Sequence, residues 1–360
     1  MGKIKYGYMD ASGVEVIPPT FNNAFVFSEG LAVAKKSAKY GYISKDGKWV
    51  VKPQFNELWP IKNGFGCGRI GDEWLLLNAK GETIFKFTRP IIWHTDYHIA
   101  LNGGLPLVET PEGIGIMNDK GDWVVSPIYN SRVYMADGGW AIKDEEFKWH
   151  IFDRNGREIL PEIQFKEVYN YNDGIAVVEL EDNPDVITYI RKDGVIIKSD
   201  TGVIYPFKNG VGLVSNKENK GLIDTCGNWI ARFNPSLGFL YELENGFAAY
   251  FKSGKVGYLS DKGEIITEPL YDAPYYDFEF NHAIVRQGNK TGIIDSRGDL
   301  VVEMSHSKKV IISKSIFAVS ESANEWTFYS FIGTEKLFQK EMSSCWALSD
   351  GLILFSREIE

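Results

Sequence analysis

A phrase that returns at steps of 33–40 residues constrains this chain more than any other feature. "KYGYISKDGKWVVKPQF" spans Lys39–Phe55. Close versions stand at "KYGYMDASGVEVIPPTF" (5–21), "GIGIMNDKGDWVVSPIY" (113–129) and "KVGYLSDKGEIITEPLY" (255–271). Aligned on the turn glycine, the anchors six residues upstream are Gly7, Gly41, Leu75, Gly115, His150, Thr188, Gly221, Gly257, Gly292 and Thr327. Ten copies tile residues 1–360, so the chain reads as one repeat domain rather than the two or three its length would suggest.

Each copy opens with an apolar-alternating run, a turn closing on glycine, and a second run. The turns include "DASG" (10–13), "SKDG" (44–47) and "DSRG" (295–298). Asp and Asn start turns by bonding their own backbone, and glycine supplies the positive φ that closes a bulged hairpin. A second phrase follows: "FSEGLAVA" (27–34), then "IKNGFGCG" (61–68), "YNDGIAVV" (171–178), "FKNGVGLV" (207–214), "LENGFAAY" (243–250) and "LSDGLILF" (348–355). It reads as a third strand. About ten residues between the phrases leave room for a short fourth. The class is all-β, with each unit an antiparallel meander and no helical period. "EDNPDVI" (181–187) and the insertion at 89–100 read as surface loops.

So small a meander cannot bury its apolar face alone and must stack on its neighbours. The first copy begins on its "KYG" strand and the last ends on "GLILFSREIE" (351–360). Pairing those strands would close a ring and remove exposed sheet edges. A propeller-like closed ring is the first expectation. Ten blades exceeds the usual 4–8, which keeps an open β-superhelix as the alternative.

The recurring hairpin and "EGLAVA" phrase (Glu29–Ala34) resemble the WG-containing repeat of bacterial proteins, over essentially the whole chain. Copies 3, 5, 6 and 10 depart at the anchor, with Leu75, His150, Thr188 and Thr327, and copy 9 has Thr291 before Gly292. The resemblance implies a bacterial β-repeat protein, transfers no catalytic residues, and favours an interaction module.

Composition narrows the partner. A formal charge of −9 opposes binding to phosphate backbones and anionic lipid, so neither nucleic acid nor membrane is expected. Three scattered cysteines, Cys67, Cys226 and Cys345, form no disulfide or metal pattern, and "MGKIKYGYMD" has no apolar leader; the expected location is cytoplasmic. Asp10, Asp46, Asp153 and Asp295 are turn-makers rather than calcium ligands, and "RGD" (297–299) is a repeat variant of "KGE" and "KGD". His94, Asp96 and His98 sit too far apart on an extended chain for a ready metal site. No nucleophile motif or phosphate loop is present. We therefore expect no catalytic site, cofactor or metal.

Tryptophans divide by register. Trp49, Trp123 and Trp229 stand two residues after a turn glycine and read as structural. Trp59, Trp93, Tyr97, Tyr275 and Tyr276 lie in the variable aromatic stretches and are the candidate binding residues. The function expected is a non-catalytic scaffold for a protein partner. A carbohydrate-binding module using loop aromatics is the alternative, and an enzyme with a central site stands third.

Overall fold

The computed structural model describes residues 3–359 apart from 88–104, 130, 137–138, 154, 201–202, 216–218, 274–275, 306–308, 321, 323 and 333. Ten antiparallel sheets follow one another along the chain and close into a ten-bladed β-propeller. Among the described residues eight sheets have four strands and two have three, and the one helical element is a 3-10 turn at Pro235–Leu237 capped by Asn234. We number the blades from the closing sheet: blade 1 joins 344–359 to 3–21, and blades 2 to 10 span 23–55, 57–87, 107–129, 131–159, 165–200, 203–233, 239–271, 282–305 and 309–341.

Closure is a strand pairing. Lys3–Asp10 runs antiparallel to Leu352–Ile359 in unbroken register from Lys3 opposite Ile359 to Asp10 opposite Leu352. The open superhelix is thereby excluded. The core says the same. Among the described residues it consists of ten apolar clusters, each between two consecutive blades, and Met9, Ile316, Phe328, Cys345 and Ile353 belong to the one between blades 10 and 1. Because strand side chains alternate, each blade feeds both of its neighbours. In Leu31–Lys36, Ala32 and Ala34 pack toward blade 1, whereas Leu31 and Val33 pack toward blade 3. That is why the second strand reads "LAVA" without polar alternation: both faces are covered.

The repeating phrase has a geometric cause. In blades 1, 2, 4 and 8 the outer strand arches away from its partner. Tyr40 faces Phe55 and Tyr42 faces Val51, so two residues on one strand span four on the other. The same two-for-four step recurs at Tyr6–Tyr8, Ile114–Ile116 and Val256–Tyr258. The arch lies over the anchor glycine. A Cβ on Gly41 would stand 2.3 Å from the Val51 carbonyl oxygen and 2.9 Å from the Pro53 nitrogen. Proline fits there because an arched edge residue has no ladder bond to donate. Blades with Leu75, Thr188 or Thr327 at the anchor pair without the arch.

Tryptophans two residues after the turn glycine brace adjoining blades, as expected. Trp49 meets Phe21 of blade 1 edge-on at 5.6 Å, and Trp123 meets Phe85 of blade 3 at 5.9 Å. The hairpin acids make turns: Asp10 accepts from the Ser12 and Val14 amides, and Asp295 from those of Arg297 and Asp299. The expected loop at 181–187 differs. Residues from Asn183 onward belong to the strand Asn183–Arg191, and a bulge in that strand, opposite Glu179 and Leu180, absorbs the extra length.

Blades are also latched by hydrogen bonds. Buried tyrosines one residue past the anchor donate into the next blade: Tyr8 to the Phe25 carbonyl at 2.7 Å and Tyr42 to that of Trp59 at 2.6 Å. The "EG" and "NG" pairs of the second phrase are two-residue hairpin turns with positive φ at both residues, as at Glu29–Gly30 and Asn63–Gly64. Their acids reach round the ring. Glu29 accepts from the Asn63 and Gly64 amides, Asp173 from Gly210 at 2.6 Å, and Asp350 from Gly30 at 2.7 Å across the seam.

Candidate functional site

First strands of adjoining sheets approach one another, Ser131–Ala136 with Phe165–Asn172 and Lys309–Ile312 with Ser344–Ser349, so they stand toward the middle of the ring. Where the first strands of blades 10 and 1 converge with His282–Gln287 of blade 9, they frame a cavity of about 400 Å³. The segment leading into blade 9 supplies Tyr276, blade 9 Arg286, blade 10 Lys309 and Trp326, and blade 1 Cys345 and Trp346. Arg286, Lys309 and Trp346 are exposed at the mouth, whereas Trp326 and Cys345 are buried beneath.

The fold fixes these groups. Tyr276 is held through its backbone: its carbonyl accepts from the Tyr258 hydroxyl at 2.9 Å, and its amide donates to the same oxygen at 3.3 Å. That is the latch used by Tyr8 and Tyr42, here placing a tyrosine where the first strand would run. The Arg286 guanidinium lies 5.0 Å from the Tyr276 ring centre, a cation–π distance. Trp346 keeps 37% of its surface exposed and lies 5.9 Å from the Tyr6 ring. Burial pushes the Cys345 thiol up to about 12, against an opposing pull from Lys309, so the sulfur is a neutral packing atom and no nucleophile. The buried indole nitrogen of Trp326 has no hydrogen-bond partner among the described residues.

Of the five aromatic candidates, Tyr276 lines the cavity. Trp59 lies elsewhere, half-buried, with its ring stacked on Trp74 at 5.3 Å and packed on the core between blades 3 and 4. Trp93, Tyr97 and Tyr275 lie outside the described residues, as do His94, Asp96 and His98. Sequence reasoning missed Arg286, Lys309 and Trp346. Trp346 carried a usable signal, since it too falls outside the regular tryptophan slot.

A second polar cluster sits in blade 5. His150 places Nδ1 2.6 Å from Glu158 and Nε2 3.1 Å from Asp144, with the Tyr129 ring 5.4 Å away. Burial lowers the imidazole's proton affinity, but the two carboxylates outweigh it and hold the pKa above the ordinary value. This cluster ties a hairpin turn to its strands. Among the described residues no group of three or more His, Cys, Asp or Glu is arranged to hold a metal ion.

No curated protein matches the sequence. Solved structures similar to the chain include a eukaryotic initiation factor, at 10% identity over 99% of both chains with a TM-score of 0.49. Others are the computationally designed Ika8 protein, at 10% identity over 93% of this chain and 95% of that one with a TM-score of 0.31, and Kluyveromyces lactis Hsv2, at 9% identity over 87% and 96% with a TM-score of 0.30. The family profile described as the WG containing repeat matches residues 6–40, 40–74, 114–142, 151–183 and 257–290. The match in copy 5 begins at residue 151, just past its His150 anchor, and copy 7 is not matched although it keeps Gly221. Five of ten repeats, spread from blade 1 to blade 9, carry the family pattern, and the chain belongs to the WG containing repeat family.

Proposed function

We propose that the protein is a non-catalytic scaffold that recognises a protein partner on one face of its ring. The observation that carries this reading is the cavity between blades 9, 10 and 1. It sets aromatic rings and two cations on a framework latched blade to blade. Rigid placement lowers the ordering cost of binding, and aromatic and arginine side chains are the groups on which interfaces most depend. Carbohydrate stacking has less support, because the regular Trp49 and Trp123 are packed against neighbouring blades. A cytoplasmic setting is part of the proposal and fits three free thiols.

The test is capture on immobilised protein from native extract, followed by titration of each captured partner in purified form. Saturable binding by a purified partner, with neither protein chemically altered, is the expected result. Partners that fail to bind once purified, or a substrate turned over, would remove the reading.

A further inference from the structure

One of the two mouth cations, Arg286, has lost the acid that its counterpart in blade 3 carries. Backbone pairing makes Arg286 in blade 9 the counterpart of Arg69 in blade 3: the Asp272 amide donates to the Arg286 carbonyl as the Asn56 amide does to that of Arg69. In blade 3 the next residue is Glu57, which binds the Arg69 guanidinium at 2.9 Å. In blade 9 that position is Ala273. Asp272 cannot substitute, since it is held by Lys255 and by the Gly288 amide. Among the described residues no carboxylate pairs with Arg286, and none pairs with Lys309. In a chain of net charge −9, two unpaired cations at one opening are a local reversal of sign.

Beside the cations stand flat apolar walls, Tyr276 and Trp346, and a floor of Trp326 and the neutral Cys345. A volume of about 400 Å³ lies at the small end of ligand pockets. It suits one side chain or a small acid and excludes a folded element. We propose that this cavity binds an aromatic carboxylate, its ring against Tyr276 and Trp346 and its carboxylate at Arg286 and Lys309. This rests on the scaffold reading for one source of that chemistry, the carboxyl-terminal aromatic residue of a partner; the other source is a free aromatic acid.

N-acetylphenylalanine and its neutral carboxamide are titrated into the intact protein by ligand-observed NMR, alongside a short peptide ending in phenylalanine with a free or amidated terminus. The acids are expected to bind at least tenfold more tightly than the amides. Arg286→Gln and Lys309→Gln should each weaken acid binding about tenfold without moving the melting temperature, as for the loss of a charge-assisted contact at an exposed mouth. Trp346→Ala should weaken acid and amide alike. A peptide far tighter than the small acid assigns the site to a protein terminus; equal affinities assign it to free acids. Equal binding of acid and amide, no binding of either acid, or binding unchanged in the Arg286→Gln/Lys309→Gln double variant overturns the proposal. If purified partners still bind that double variant at full strength, the scaffold reading stands and the partner's terminus is ruled out as the source of the acid.

Discussion

Replacing Gly41 with alanine tests why the repeat keeps its "YG". The added methyl would lie 2.3 Å from the Val51 carbonyl oxygen and 2.9 Å from the Lys52 carbonyl carbon and the Pro53 nitrogen. All three are backbone atoms, so no side chain can rotate out of the way. Relief requires the Val51–Phe55 arch to lift, which strips Phe55 from the cluster it shares with Leu58 and Leu75. Overpacking of this kind costs about 3 kcal/mol, the upper end of the usual range. The smaller unfolded-state entropy of alanine offsets about 0.5 kcal/mol of that. At roughly 2.1 cal/mol/K of unfolding entropy per residue, a cooperative ring of this size loses about 3 °C of Tm. Calorimetry of the purified protein measures it. Gly30→Ala is the control: its φ is +83° and nothing lies within 4 Å of the added carbon, so only the left-handed backbone penalty of about 1 kcal/mol applies. A Gly41→Ala protein that melts with the wild type, or no lower than Gly30→Ala, would show that the arch does not rest on the glycine.

Tyr42→Phe removes the hydroxyl that reaches the Trp59 carbonyl at 2.6 Å and should cost about 1–2 kcal/mol in urea unfolding, with Tyr8→Phe behaving alike at the seam. Removing residues 352–359 takes Leu352, Ile353, Leu354 and Phe355 out of two inter-blade clusters. It should open the ring, seen in solution scattering as a larger radius of gyration, and a truncated protein of unchanged radius would refute closure by strand pairing. His150→Gln should cost more stability at acid than at alkaline pH. The imidazole's raised pKa makes its contribution complete below the unfolded value of about 6.5 and lost as pH rises through the folded one. Solvent screening limits the change to about 1 kcal/mol or less, and a His150→Gln penalty that grows with pH would reverse the assignment.

The architecture was readable because its constraints are local and repeated. Turn glycines such as Gly13 and Gly47 need positive φ, and the anchor glycines Gly7, Gly41, Gly115 and Gly257 lie under an arch, so both survive as spaced signals. The ring was readable only as one of two outcomes, since pairing of Lys3–Asp10 with Leu352–Ile359 leaves no mark on either strand's composition. Latches such as Asp350 to Gly30 were hidden for a related reason: an "EG" or "DG" turn looks the same whether its acid faces water or the next blade.

Why the site was harder to read follows from where it lies. The second and third strands of each blade are covered on both faces and so are held to the repeat pattern. A first strand is the sheet edge beside the middle of the ring, and in Asn23–Ala24 or Glu57–Leu58 it pairs over just two residues. Such a segment can change without unseating a blade. Residues there carry chemistry by departing from the pattern, as Ala273 does where Glu57 stands in blade 3, and a departure in one copy gives no periodic signal. The change that frees Arg286 is the absence of an acid from a neighbouring position. It becomes visible only once backbone pairing shows which residues correspond. Ala273→Glu should therefore recreate the blade 3 ion pair on Arg286 and weaken acid binding in the cavity by about tenfold, with the fold intact. An Ala273→Glu protein that binds N-acetylphenylalanine as the wild type does would mean that the lost acid has no bearing on the site.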